Sequence, residues 1–405
     1  MKLKIPHSLF ILMIAVSGLL GFLPQSASAK NPLKVYILAG QSNMQGHAHI
    51  DTMDVIGLDP KTAPMLKEMR NSDGTPKILN DVWVSSLGSS EDVKTGKLTV
   101  GFGVNKKGLR IGPEYTFGIY IQKHVKEPIL IIKTAWGGKS LSKDFRPPSA
   151  GPFPLSERHI EMLKKKGEDT ASAKAARVEQ TGHYYRLMTE HVQKVLKDIK
   201  AVYPGYDPKQ GYELAGFVWF QGWNDLVDTK TYPDCNKPGG YDAYTEVLGH
   251  FIRDVRKEFA APKMPFVIGV MGVGGPVETY TRKRYINRDT AFRKAMAAPA
   301  LLPEFKGNVS AVLTENYWDQ KLGALKKTDF YDILKKHGKM KREGKIEGNG
   351  KKELEAMRAE VFTKEERDYL NKGSSNAGYH YHGSAKILGQ IGKAFADELD
   401  KLSEK

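Results

Sequence analysis

The chain has 405 residues, with 62 Lys plus Arg against 46 Asp plus Glu, 40% hydrophobic residues and a single cysteine, Cys235. That apolar content excludes an intrinsically disordered chain, and one cysteine excludes a disulfide scaffold or a Cys-rich zinc module. The formal net charge of +16 attracts polyanions such as sulfated or uronic polysaccharide, nucleic acid and anionic lipid. The attraction is non-specific and screened by salt, and no nucleic-acid-binding motif accompanies it.

Residues 1–29 read as an export signal. Lys2 and Lys4 precede the apolar run LFILMIAVSGLLGFL, and Ala27-Ser28-Ala29 supplies the small residues of a cleavage site. The run is too short for a membrane span of about 20 residues and is broken by Ser17, Gly18, Gly21 and Pro24. Cleavage after Ala29 lowers the net charge of +16 by two, to +14, and implies a periplasmic or extracellular protein with no membrane partner.

The first predicted strand, Val35–Ala39, runs straight into Gly40-Gln41-Ser42-Asn43. A small hydroxyl at the carboxyl end of a strand stands where open parallel sheets bind ligands, so Ser42 is placed as a nucleophile or, more plainly, as a cap or turn residue. A strand at Val82–Ser86 and a helix at Glu114–Val125 follow. The strand Ile129–Lys133 leads into Trp136-Gly137-Gly138, where a free Gly138 amide suits an oxyanion as well as an ordinary turn. Residues 142–180 form an irregular insertion containing RPPSAGPFP and the lysines at 164–166, and a helix at Tyr184–Ile199 comes next.

The strand Gly216–Phe220 exits through Gln221-Gly222 into Trp223-Asn224-Asp225. Asn224 can donate to an oxyanion and Asp225 can orient a partner or hold substrate hydroxyls, although both types are also common in turns. A helix at Tyr241–Phe259 and strands at Phe266–Met271 and Val309–Thr314 continue the alternation. Residues 320–372 are rich in Lys, Glu and Gly and read as a second insertion, a surface helical excursion or a lid. His380 and His382 stand just before a closing helix, Ser384–Leu402, whose Leu388, Ile391, Phe395, Leu399 and Leu402 share one face. A histidine is the natural base for a serine, and the spacing within one short segment does not choose between the two. A zinc pair would need a third ligand that the segment lacks.

Strands with β-branched and aromatic runs alternating with amphipathic helices predict a three-layer α/β domain with a mostly parallel sheet covered on both faces. No linker or internal repeat divides it, so residues 30–405 read as one domain carrying the two insertions.

The order GQSN, WGG, GWND and a histidine before the last helix resembles the SGNH hydrolase superfamily, whose fold is flavodoxin-like. Within it the chain is similar to the sialate O-acetylesterase-like carbohydrate esterases, whose first block reads GQSN. The resemblance spans about residues 33–400. It implies Ser42 as nucleophile and His380 as base, the latter because its distance to Gly389 in the closing helix fits the family spacing. It also implies an oxyanion hole of Ser42 N–H, Gly138 N–H and the Asn224 side chain, and a pocket framed by Gln41, Gln221 and Trp223. It implies no metal or organic cofactor and, as partner, an acetylated and, given the charge, acidic carbohydrate. Trp136, Trp223, Tyr317 and Trp318 are candidates to stack on a sugar.

Two departures stand out. The family pattern DxxH has Ala377 in place of its acid, with Asn376 beside it, and the subgroup's QGE reads Gln221-Gly222-Trp223. The base is then oriented either by a backbone carbonyl or Asn376, or by an acid from another loop: Asp225, Glu315 or Asp319. A catalytically silent polysaccharide-binding protein and an esterase for non-carbohydrate acyl groups are the competing readings.

Overall fold

The computed structural model describes residues 31–155 and 157–404; the proposed export signal lies outside them. The described residues contain nine strands: β1 Leu33–Gly40, β2 Ala48–His49, β3 Leu79–Gly88, β4 Lys94–Leu98, β5 Arg110–Ile111, β6 Ile129–Ala135, β7 Tyr212–Phe220, β8 Phe266–Val270 and β9 Val309–Leu313. Seven of them form one sheet in the order β4-β3-β6-β1-β7-β8-β9, and β2 and β5 form a separate two-stranded ribbon. All neighbours in the large sheet run parallel except the edge pair β3 and β4.

The six strands expected from apolar runs are the six parallel ones. The edge strand β4, KTGKL, escapes that logic because only one of its residues is buried. Its lysines keep an open edge from pairing with another chain.

Alternate residues of β1 feed two cores, as a strand covered on both faces requires. Val35, Ile37 and Ala39 pack with the helices His183–Lys197, Asp242–Glu258 and Lys283–Ala297. Tyr36 and Leu38 pack with Pro113–His124 and the closing helix Ala385–Ser403. The resulting architecture is three-layer α/β, as the alternation of elements predicts.

The insertion at residues 142–180 holds two helices, Glu157–Lys165 and Thr170–Gln180. Residues 320–372 are helical, with segments Gln320–Leu325, Thr328–Arg342, Lys351–Ala359 and Lys364–Gly373. They have a small core of their own, in which Leu322, Phe330, Ile333, Phe362 and Leu370 gather around Val55. No helix among the described residues is long and apolar enough to cross a membrane.

Register decides what meets at the carboxyl edge. Gly40 pairs with Ala135 of β6 and with Phe220 of β7, so these three adjacent strands end level. The segments carrying Ser42, Gly138 and Asn224 therefore leave the sheet side by side. A Cβ at Gly40 would lie 2.2 Å from the Phe220 carbonyl oxygen, so only glycine permits this approach of β1 to β7.

Candidate active site

Ser42 opens a short helix, Ser42–Gln45, behind Gln41 in the N-cap position, and is 6% exposed. Among the described residues no acceptor engages the backbone N–H of Ser42 or that of Gly138. Gly138 has φ +74°, a left-handed conformation that suits glycine, and open space beside it.

The third donor is set by a chain of amides whose orientation can be deduced link by link. Asp225 is fully buried and accepts from Leu141 N–H at 2.8 Å, Ser142 N–H at 3.0 Å and Gln221 Nε2 at 2.6 Å. Gln221 Nε2 also donates to Gln41 Oε1 at 3.1 Å, and so does the Gly222 N–H at 3.1 Å. A backbone donor can face only the oxygen of Gln41, so the other end of that amide is nitrogen, and it donates to Asn224 Oδ1 at 3.3 Å. Asn224 is thereby locked with its Nδ2 outward, available to an oxyanion. Gln41 Nε2 also lies 3.5 Å from Ser42 Oγ, at the outer limit of a hydrogen bond. Gln41 and Gln221 are thus the framework that aims Asn224.

The histidines separate sharply. Residues 378–383 form a tight 3-10 turn in which Tyr381 and His382 adopt left-handed φ of 50° and 59°. His382 is 3% exposed, its ring 4.7 Å from that of Trp318, with neither ring nitrogen hydrogen-bonded. Burial and nearby Lys326 hold its pKa down at about 3. His380 instead stacks on His47 with ring centroids 3.8 Å apart and planes within 11°.

Asn376 holds both rings. Its Oδ1 accepts the Ala377 N–H at 2.7 Å, which identifies that atom as oxygen, and the same oxygen lies 3.1 Å from His380 Nδ1. His380 Nδ1 must therefore carry a proton, leaving Nε2 with a free lone pair. The other end of the amide, Nδ2, donates to His47 Nδ1 at 3.2 Å, which fixes His47 in the opposite tautomer. Burial first, and then the charge of Lys106, keep the His380 pKa at about 4; burial, His380 and neighbouring cations hold His47 at about 3. Both rings are neutral at pH 7. No hydrogen bond joins Ser42 Oγ to His380 in this state; serine–histidine contacts in unliganded hydrolases often tighten only when substrate binds.

None of the three candidate acids is hydrogen-bonded or ion-paired to His380. Asp225 is consumed in fixing the loop after β6 and the amide chain. Glu315 is ion-paired with Arg293. Asp319 caps the helix Gln320–Leu325 through Leu322 N–H and receives the Tyr369 hydroxyl and Lys386. The partner of His380 is the neutral amide of Asn376.

Trp223 lies beside Tyr379, ring centroids 5.6 Å apart. Trp136 is buried with Phe145 and Tyr184, in the core rather than at a sugar site. Among the described residues no group of three His, Cys, Asp or Glu converges as a metal site would require.

Sequence reasoning passed over His47 and Lys133. His47 stands a few residues after Ser42, far from His380 in sequence, and only the fold stacks them. Lys133 is a buried cation on β6 whose Nζ donates to Glu114 at 2.7 Å and to the carbonyls of Gln45 and Phe102 at 2.9 Å each. It ties down the end of the Ser42 helix. A lysine inside an apolar strand was the available signal.

A family model described as carbohydrate esterase, sialic acid-specific acetylesterase, matches residues 32–301. The chain belongs to this family. No curated protein matches the esterase chain. Among solved structures, it is similar to a protein from Arabidopsis thaliana, with 15% identity, TM-score 0.37, and coverage of 70% of this chain and 86% of that one. It is also similar to a carbohydrate acetylesterase from Xanthomonas citri, with 12% identity and TM-score 0.39; the match covers 71% of this esterase chain and about half, 51%, of that protein. The family match ends before β9, so Asn376, His380 and the helices at 320–372 lie beyond it.

Proposed function

We propose that the protein is an exported serine esterase that removes O-acetyl groups from carbohydrates through a Ser42–His380 acyl-enzyme. The reading is supported by the level ends of β1, β6 and β7, from which Ser42, Gly138 and Asn224 leave the sheet together, by the Asn224 amide aimed by Gln41, and by a His380 tautomer that leaves Nε2 as a base. Ser42 Oγ attacks the acetyl carbonyl and passes its proton to His380 Nε2. The oxyanion is met by Ser42 N–H, Gly138 N–H and Asn224 Nδ2, and an oxyanion donor contributes roughly 3 kcal/mol. His380 protonates the departing sugar hydroxyl. Water then enters, gives a proton to His380 and attacks the acyl-enzyme, and acetate leaves as His380 returns that proton to Ser42 Oγ. No step calls for a metal or organic cofactor.

Asn376 does here what a carboxylate does in a Ser-His-Asp triad only in part. It sets the tautomer but adds no charge to stabilise the imidazolium, so catalysis rests more heavily on the oxyanion hole. The test is acetate release from p-nitrophenyl acetate and from acetylated xylan, with Ser42→Ala and His380→Ala run alongside. Activity lost in both variants is the expected result. A wild-type protein as inert as Ser42→Ala on every ester, and unlabelled by a fluorophosphonate, would favour the silent polysaccharide-binding reading.

A further inference from the structure

A cleft of about 1090 Å³ is lined by chain neighbours of the proposed site residues, and none of its residues is needed for the acyl transfer itself. Trp223 and Tyr379 line it, and they are the chain neighbours of Asn224 and His380. Tyr379 is 44% exposed, and its ring meets that of His380 edge-on at 4.5 Å as well as leaning on Trp223. Ser42, Asn224 and His380 do not themselves line the cleft, so it adjoins the proposed site through the rings of Trp223 and Tyr379.

Another wall is supplied by Trp318 and the helical excursion that follows it. Trp318, Lys326, Lys327 and Tyr331 all line it, and Tyr331 is 49% exposed on the helix Thr328–Arg342. These residues lie beyond the segment matched by the family model. His382 contributes a buried imidazole with two unpartnered nitrogens to the same lining.

Charge and shape agree on the occupant. The lining carries Arg282, Arg288, Lys326 and Lys327 against one acid, Asp289, which Arg288 already engages at 2.7 Å. Among the described residues no acid pairs with Arg282 or Lys327. Exposed aromatic faces offer platforms to the apolar faces of pyranose rings, and unpaired cations beside them favour carboxylates. Lys326 has a second link to the chemistry, since its Nζ donates to the Asn376 carbonyl at 3.2 Å.

We infer that this cleft is a subsite for a carboxylate-bearing oligosaccharide, which places the sugars flanking the acetylated one against Trp223, Tyr379 and Tyr331. The inference rests on the esterase reading for its direction, but not for its test. Binding is measured by calorimetry with the Ser42→Ala protein, using a galacturonate hexamer, the neutral xylohexaose and free galacturonate. The hexamer should bind at least tenfold more tightly than either control, and Tyr331→Ala and Lys327→Ala in the same background should each weaken it about fivefold or more. Equal affinity for hexamer and monomer, or hexamer binding indifferent to both substitutions, would overturn the subsite. Tighter binding of xylohexaose than of the galacturonate hexamer would overturn the carboxylate assignment. In the active protein, the ratio of kcat/KM on acetylated acidic oligomers to that on p-nitrophenyl acetate should fall in the same two variants. Because the binding arm uses an inactive serine variant, failure of the esterase reading and failure of the subsite give different results.

Discussion

Replacing Asn376 by aspartate supplies the missing acid of the triad, and the consequence for pH can be worked out. Asn376 Oδ1 lies 3.1 Å from His380 Nδ1, so the substitution puts a negative charge in direct hydrogen-bond contact with the imidazole. An opposite charge at that range raises a histidine pKa by about 1–3 units. His380 starts at about 4, held low by burial and Lys106. The base must be unprotonated to act, so the wild-type activity is retained as pH falls and is lost only near pH 4. In Asn376→Asp the acid limb moves up to roughly pH 5–7. Each unit is about 1.4 kcal/mol of imidazolium stabilisation, so kcat/KM above the limb rises by at most about 10- to 1000-fold. His47, which loses a donor at its Nδ1, turns to its other tautomer and donates to the new carboxylate. The assay is kcat/KM for p-nitrophenyl acetate across the acid range. Asn376→Ala lowers kcat and leaves the limb where it was. An unmoved limb in Asn376→Asp, or the same shift in Asn376→Ala, would refute the assignment of Asn376 as the group that orients His380.

Four other outcomes follow from the geometry. Asn224→Ala lowers kcat by about 100- to 1000-fold while leaving Tm nearly unchanged, because the residue is the proposed oxyanion donor and is only half-buried; steady-state kinetics and a thermal melt check both. Lys133→Met strands the buried Glu114 carboxylate and costs about 3–5 kcal/mol, measured by urea unfolding, whereas Lys133→Met combined with Glu114→Gln recovers part of it. Gly40→Ala forces β1 from β7 at the Phe220 carbonyl and lowers both Tm and activity. Buried His47, His191 and His382 are held neutral with pKa values of about 3, 4 and 3, below the unfolded value of about 6.5. The unfolded chain therefore binds more protons between about pH 6.5 and 4, and stability falls through that window by up to about 1.4 kcal/mol per pH unit per imidazole. Buried Asp225, whose pKa is raised, opposes this in part; Tm against pH gives the net slope.

The six parallel strands were readable because each is an apolar run, buried on both faces in β1, β6, β7 and β8 and only in part in β3 and β9, and the closing helix because its apolar stripe is regular. The charged edge strand β4 and the ribbon of β2 with β5 carry no such signal; their pairing is decided by neighbours. At the site, Ser42, Gly138 and Asn224 each follow a strand, and strand ends are what local sequence predicts best. The orienting group of the base was harder. An acid was the natural expectation, and Asp225, Glu315 and Asp319 were credible until the fold showed each already bonded elsewhere. The stack of His47 on His380 joins the two ends of the chain and is invisible to any local pattern.

The helical excursion has a core of its own, touching the main body through residues such as Val55. A unit with a private core can open as a unit, at a free energy well below that of global unfolding. Amide exchange in Thr328–Arg342 and Lys351–Ala359 should accordingly be faster than in β1, β6 and β7, with the two helices exchanging together. Such a wall can swing to admit a long, thick polymer while the sheet edge that bears the nucleophile stays rigid, and it can be remodelled by mutation without disturbing the strands that hold Ser42.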